Sequence, residues 1–442
     1  MITNNNIFKK YQTIRFKNLR LPISPFFILK GLHQSEYWDR SEIEKYQLEK
    51  INKLIEESRD QTIYYKEILL MINKSFNNLD EFKNSFPVLT KKEIREYYKE
   101  LINYNIQTRH RHSTSGSTGT PIVVEISGMA EAYRLAGIMR FYSWWGIKST
   151  DRSVLIWGFK QTIIKKGIIN RIKRKFRNRL DINIFDLNDQ TILNYFEEIE
   201  KFNPVYIRGY KSALYSLAEL MERHNLQFKK AKLKIAIVTS EILQEEEREF
   251  IEKILKCKVV NEYGSGECGL YAHECPEGSM HINEESIFIS TDGQNKAKVT
   301  ELHNNGMPLI NYMNDDGIEI SDKFCSCGRT SRLIENIQGR VSDYILCPDG
   351  SKKSMHRVSH IMKELNDLGK GKCYRQFKVT QRNNNFLFEI VPDLNYKSAV
   401  SDYILKRMHQ EIGNEIIVDI KLVKEIKREK SGKLRFFIRK ED

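Results

Sequence analysis

Ser113-Thr114-Ser115-Gly116-Ser117-Thr118-Gly119-Thr120-Pro121 runs directly into the apolar triplet Ile122-Val123-Val124. Hydroxyls and glycines alternate here in a way that suits neither a helix nor a core. Glycine permits close backbone approach, and successive amides and hydroxyls donate hydrogen bonds, so such a loop is suited to wrapping anionic oxygens. A flexible polar hairpin turn is the plainer alternative, but it does not call for hydroxyls organised around two glycines before a β-branched run. The lysine-bearing phosphate loop is excluded, because no Gly-Lys-Ser/Thr occurs.

On either side of this stretch the texture of the chain differs. Upstream, Trp38, Ile43, Tyr46, Ile51, Leu54 and Ile55 recur at helical spacing, and Thr90 offers an N-cap before Lys91-Lys92-Glu93-Ile94. Downstream, short apolar runs alternate with longer amphipathic ones. Strands are predicted at Ser153–Trp157, Val205–Ile207, Ile235–Val238 and Lys258–Val260, with helices near 189–201, 211–224 and 244–255. That alternation predicts an α/β layered fold with a largely parallel sheet. From 280 to 347 short strands and turns follow. The last hundred residues read as a smaller α+β unit, with helices near 357–367 and 397–412 and strands near 374–381, 385–392 and 416–423. The expected organisation is a large multi-layer domain over 1–340, with a helical lead-in over 1–110, and a small C-terminal domain over 341–442.

Length agrees, since 442 residues favour two or more domains. Lys plus Arg is 72 against 58 for Asp plus Glu, a net charge of +14. The densest basic run, Lys160 to Arg179, carries Ile163, Ile164, Ile168, Ile169, Ile172 and Phe176 at a helical period and reads as a solvated amphipathic helix. An acidic partner or an anionic surface would also suit it, but no nucleic-acid-binding module accompanies it, so charge alone does not support a nucleic-acid function and none is expected. No run approaches the length of a membrane span, and the N-terminus lacks a secretion pattern, so a soluble cytoplasmic protein is expected. The seven cysteines all lie between Cys257 and Cys373. An odd number, clustered, argues against a disulfide framework and for a local use. Cys275, His281, Cys325 and Cys327 fit a metal site, since sulfur with one nitrogen suits tetrahedral Zn²⁺ and a closed four-ligand site would be structural. Cys268 and His273 compete as ligands, and buried unliganded thiols are the alternative.

Five ordered motifs, beginning with the loop at 113–121, resemble those of the adenylate-forming enzymes, the superfamily of acyl-CoA synthetases and adenylation domains. Asn261-Glu262-Tyr263-Gly264-Ser265-Gly266-Glu267 is similar to the motif that holds adenine and magnesium. Val299-Thr300-Glu301-Leu302 through Asp316 is similar to the ribose-binding region, Gly339-Arg340-Val341-Ser342-Asp343 to the interdomain hinge, and Ser431-Gly432-Lys433-Leu434-Arg435 to the loop with the adenylation lysine. Within the superfamily the chain resembles phenylacetate–CoA ligases and the related capsular polysaccharide biosynthesis proteins. Tyr37-Trp38-Asp39-Arg40, Thr239-Ser240-Glu241, Glu274-Cys275-Pro276 and Cys325-Ser326-Cys327-Gly328-Arg329 carry that resemblance.

The resemblance implies ATP-dependent activation of a carboxylic acid as an acyl-adenylate, with a mobile C-terminal domain. The acyl group would pass to coenzyme A, to a carrier-protein thiol, or to an amine or hydroxyl of a saccharide; an acidic carrier would suit the charge. It implies catalytic roles for Lys433 and Glu267, the latter placing Mg²⁺. ATP would be bound by Ser115, Gly116, Ser117, Thr118, Gly119, Thr120, Ser240, Glu241, Glu262, Tyr263, Gly264, Asp316 and Arg340. Asp315 is adjacent to Asp316, and the sequence leaves the choice between them open. Three departures stand out. Gly266 replaces the usual hydroxyl residue before the Glu, both arginines of the ribose region are missing from Asn311-Tyr312-Met313-Asn314-Asp315-Asp316, and Ser342 occupies the hinge. A catalytically weakened scaffold of the same fold is the contrasting expectation.

Overall fold

The computed structural model describes residues 21–70, 75–114, 122–159, 178–340, 344–368, 373–429 and 431–440. The chain divides into two compact units, Met1–Ile337 and Gln338–Asp442. Among the described residues no helix is long and apolar enough to cross a membrane.

The lead-in is helical for the reasons its sequence suggests. Pro25 opens the helix Pro25–Ser35, which its fixed φ favours. Asp39 caps Arg40–Gln61 in a reciprocal capping box with Glu42. The long helix buries Ile43, Gln47, Ile51, Leu54, Ile55 and Ser58, one stripe at helical spacing. Thr90 and Glu93 form a second capping box at Lys91–Glu96, a helix shorter than its sequence suggests. Just before it, Leu89 pairs with Tyr312, the amide of Met313 donating to the Leu89 carbonyl.

An antiparallel hairpin follows, β1 (Arg109–Ser113) with β2 (Val123–Ser127). The large sheet begins with β3 (Ser153–Trp157), β4 (Arg179–Asn183), β5 (Tyr206–Tyr210), β6 (Ile235–Thr239) and β7 (Lys258–Ser265). These five pair in parallel in the order β4-β3-β5-β6-β7. Helices Ile192–Phe202, Lys211–Arg223 and Glu245–Leu255 connect successive strands. Val154, Ile156, Ile207, Ala236 and Val238 are fully buried, as expected of parallel strands covered on both faces.

From β7 the sheet continues through β8 (Gly269–Glu274), β9 (Met280–Ile282), β10 (Ile287–Thr291), β11 (Lys296–Glu301), β12 (Tyr312–Ser321) and β13 (Leu333–Arg340). Its hydrogen-bonded order is β7-β8-β9-β13-β12-β11-β10. The sheet curls enough for side chains of β7 and β12 to meet although three strands separate them.

The second unit holds a short hairpin, β14 (Tyr344–Leu346) with β15 (Lys352–Ser354). Its main sheet contains β16 (Tyr374–Arg382), β17 (Asn385–Pro392), β18 (Ile417–Leu422) and β19 (Phe437–Lys440) in the order β18-β17-β16-β19. Helices His356–Leu368 and Ser398–Ile412 accompany it. Phe386, Phe388 and Ile390 alternate inward along β17, and Ile404 and Met408 are buried on the second helix. Lys433 lies on the connection from β18 to β19. There a tight turn closes between Glu429 and Lys433, with Gly432 at φ 90°.

Candidate functional site

The residues singled out in the first unit cluster at the carboxyl ends of the parallel strands, where open α/β sheets bind ligands. Tyr210 ends β5, Ser240 and Glu241 follow β6, and Glu262 and Tyr263 lie near the end of β7. Tyr263 is buried, and its hydroxyl donates to Asp316 Oδ2 at 3.0 Å. Asn314 Nδ2 donates to the same oxygen at 2.6 Å. Asp315 is directed elsewhere: it has a positive φ of 66° and pairs with Lys91 at 2.8 Å. The backbone irregularity on β12 therefore separates the two neighbouring aspartates, Asp316 toward Tyr263 and Asp315 toward the lead-in.

Glu267 sits in the turn between β7 and β8 with 8% of its surface exposed. Its carbonyl accepts from Arg134 Nη2 at 2.6 Å. Arg134 is itself clamped by Glu301, with Nε to Oε1 at 2.6 Å and Nη2 to Oε2 at 2.8 Å. Burial raises the Glu301 carboxyl while Arg134 opposes that shift. Arg134 was not legible as a site residue, because its partner lies 167 positions downstream.

Two further expected ATP ligands, Glu262 and Glu241, are engaged within the protein. Glu262 is buried and accepts from Arg208 Nε at 2.8 Å, with His273 Nε2 3.8 Å from its other oxygen. Glu241 accepts from the amide and hydroxyl of Ser212, at 2.7 and 3.0 Å, and so caps the helix Lys211–Arg223. Gly264 leaves room for a close crossing, since a Cβ there would run into the Gly269 carbonyl and Leu270 Cα. Ser240 takes a positive φ of 68° immediately after β6. Such backbone strain in a non-glycine residue is typical of functional turns.

The hairpin holds the glycine-rich loop at its tip. Ser113 is paired with Val123, and the Thr114 amide donates to the Ile122 carbonyl at 2.9 Å. Ser115, Gly116, Ser117, Thr118, Gly119 and Thr120 lie outside the described residues, as do the Arg340 side chain, Ser342 and the basic stretch 160–177.

A second cluster joins Cys275, His281, Cys325 and Cys327, whose ligand atoms all lie within 4.8 Å of one another. Cys275 and Cys325 sulfurs are 3.7 Å apart, and Cys327 Sγ is 3.2 Å from His281 Nε2. Tetrahedral zinc with sulfur at about 2.3 Å would set neighbouring sulfurs about 3.8 Å apart, so the cage has the right size. Cys275 and Cys325 each open a tight turn closed by a glycine amide, Gly278 at φ 81° and Gly328 at φ 80°. His281 Nδ1 lies 2.9 Å from Ser331 Oγ, an outer partner that leaves Nε2 facing the sulfurs. Burial, with Arg329 and Arg140 nearby, pulls the imidazole down to about 4, so it is neutral, the ligating form. The competing pair is elsewhere. Cys268 is buried near Arg134 and Glu301, and His273 stacks on Phe141 at 5.2 Å. Arg329–Glu36 at 3.0 Å and Thr330 to the Trp38 carbonyl at 2.6 Å tie the cysteine turn to the helical lead-in.

Layering, topology and the two units define the fold of the adenylate-forming ligases. The 2-hydroxyisobutyryl-CoA ligase in the postadenylation state, in complex with R3-HIB-AMP, aligns with a TM-score of 0.73 at 16% identity, covering 92% of this chain and 91% of that one. The anthranilate CoA ligase AuaEII in complex with anthranoyl-AMP aligns at 0.50 and 12% identity, covering 74% and 66%. Residues 345–440 match the CapK C-terminal domain family. Over 98% of its length the chain is similar to Protein CapK of Staphylococcus aureus, at 22% identity and covering 99% of that protein.

Proposed function

We propose that this protein is an ATP-dependent ligase that converts a carboxylic acid to its acyl-adenylate and then transfers the acyl group. The observation carrying this reading is the Tyr263–Asn314–Asp316 cluster beside Glu267, at the carboxyl edge of the parallel strands and in a chain with the adenylate-forming fold. Asp316, oriented by Tyr263 and Asn314, is the carboxylate that accepts from the ribose hydroxyls. Tyr263 borders the adenine, and the hydroxyl- and glycine-rich loop cradles the β- and γ-phosphates. Bound Mg²⁺, a hard ion that prefers oxygen ligands, would be held through Glu267 and would neutralise phosphate charge.

In the first half-reaction a substrate carboxylate oxygen attacks the α-phosphorus. The new acyl–phosphate bond forms as the α,β-bridging bond breaks, and pyrophosphate leaves with that electron pair. Catalysis of such a step is mainly positioning and charge stabilisation. Lys433, from the second unit, supplies the cation at the carboxylate and α-phosphate. In the second half-reaction the acceptor attacks the acyl carbon and AMP leaves. Coenzyme A or a carrier-protein thiol is the favoured acceptor. An amine or hydroxyl of a surface polysaccharide precursor is the second reading, supported by similarity to Protein CapK across nearly the whole chain. Cys275, His281, Cys325 and Cys327 would hold a structural zinc, which would fasten the β8–β9 turn to the loop before β13.

The test is ATP–pyrophosphate exchange over a panel of carboxylic acids, with wild type and Lys433→Ala. Acid-dependent exchange that collapses in the variant supports the reading, and its absence with every acid counts against it.

A further inference from the structure

The strand β1 leads into the glycine-rich loop, and its side chains alternate between two faces. Arg111 turns to Glu125, with Nε 3.1 Å from the carboxylate. His112 and Thr114 share a different environment, against Gly266 and beside Glu267. A Cβ built on Gly266 would lie 2.9 Å from Thr114 Cγ2 and 3.1 Å from His112 Nε2. The imidazole thus stands where a side chain at position 266 would extend. A residue larger than glycine fits there only if Thr114 shifts and that ring gives way slightly.

The surroundings of His112 carry charges of both signs. Burial, then the Arg134 guanidinium, pulls the imidazole below its ordinary value; Glu267 and Glu131 oppose that shift and His110 adds to it, so the ring is neutral and offers one N–H donor. The residue as a whole is exposed although its ring is partly covered, and no hydrogen bond of either nitrogen is found among the described residues. Its neighbours His110 and Arg111 have carboxylate partners, Glu131 at 3.9 Å and Glu125 at 3.1 Å. A structural histidine at this position would be expected to spend one nitrogen on the protein. Here a solvent-reachable donor faces the backbone just before Glu267, on the strand that feeds the loop assigned to phosphate.

We propose that His112 is a phosphate ligand of the nucleotide site, its Nε2–H donating to an α-phosphate oxygen from the space left by the missing side chain of Gly266. The assignment rests on the nucleotide-binding reading above. It makes His112 and Gly266 a matched pair, in which an imidazole from the hairpin supplies a donor that position 266 lacks. During adenylation the α-phosphate keeps its non-bridging oxygens while the bond to pyrophosphate is exchanged for one to the acid. A donor fixed on one of those oxygens serves both ATP and the acyl-adenylate.

Adenosine and AMP separate the possibilities, because they differ only in the phosphate. Calorimetric titrations of the full chain with each should be made for wild type, His112→Ala and His112→Gln. Loss of one hydrogen bond to a charged group predicts AMP binding weakened about tenfold to a hundredfold in His112→Ala. Adenosine binding should be unchanged, and His112→Gln, which keeps an N–H donor, should recover most of the AMP affinity. Gly266→Ser in the His112→Ala background should restore a donor by the opposite route, again for AMP only. Equal weakening of AMP and adenosine would make His112 structural and overturn the proposal. Unchanged AMP binding in His112→Ala would overturn it as well. If wild type binds neither ligand, the nucleotide-site reading itself fails; if wild type binds both and the variant matches it, only the role of His112 fails.

Discussion

Replacing Arg134 with Met should both destabilise the first unit and impair the reaction, by separable routes. Arg134 makes two bonds to Glu301 and one to the Glu267 carbonyl, and the two side chains of the pair are only 13% and 4% exposed. Removing one partner of a buried pair costs about 3–5 kcal/mol, because the remaining charge is left desolvated. Asn304 still hydrogen-bonds Glu301, so the loss should lie near the lower end, about 3 kcal/mol. That is a large share of a typical domain stability of about 5–15 kcal/mol. Burial already raises the Glu301 carboxyl, and without the guanidinium it rises further. A carboxyl raised in the folded state costs stability above that pKa, so the deficit of Arg134→Met should shrink as pH falls. In Arg134→Met/Glu301→Gln the orphaned charge is gone and stability should return to within about 1–2 kcal/mol of wild type. Exchange activity should not return with it, because the Glu267 carbonyl still lacks its donor. Urea unfolding followed by tryptophan fluorescence, alongside pyrophosphate exchange, reads both effects. Arg134→Met as stable as wild type within about 0.5 kcal/mol would refute the buried pair. Full exchange in the double variant would refute the positioning of Glu267.

Other outcomes follow from the same geometry. Protein purified without chelator should contain about one zinc per chain by elemental analysis; Cys327→Ser should lose it and lower the melting temperature, and a metal-free wild type would dismiss the cage. In the second unit, hydrogen bonds from Arg407 and Tyr403 hold the Glu364 carboxyl down at about 2 against an ordinary 4.5. A depressed carboxyl contributes stability above its unfolded pKa and loses it as pH falls toward the folded one, so acid unfolding of this unit between pH 4.5 and 2 should be less steep in Glu364→Gln.

The parallel half of the fold was legible because each strand is a compact apolar run between helices of clear period. Its limits were less so. The apolar run at Lys258–Val260 belongs to a strand that continues to Ser265. Polar residues extend it because their groups are satisfied across the sheet: the Asn261 amide donates to Glu274, and Glu262 pairs with Arg208. Asp316 was named beside Asp315, but only the left-handed backbone at Asp315 decides which of them meets Tyr263. The four metal-ligand candidates were chosen from residue types and resemblance, yet Cys275 and Cys325 are 50 positions apart and only the curled sheet brings them to 3.7 Å. Glu241 and Glu262 are named as ATP-binding residues by resemblance alone, while their partners inside the protein, Ser212 and Arg208, lie on another helix and another strand. Pairing at that distance leaves no local trace in the chain.

If this chain adenylates a carboxylic acid, acid-dependent exchange of labelled pyrophosphate into ATP measures that step alone. Exchange is expected with at least one acid of a panel spanning short hydroxy, aliphatic and aryl acids, dependent on Mg²⁺ and reduced by orders of magnitude in Lys433→Ala. Exchange at wild-type rate in Lys433→Ala, or none with any acid from folded, ATP-binding protein, would contradict it.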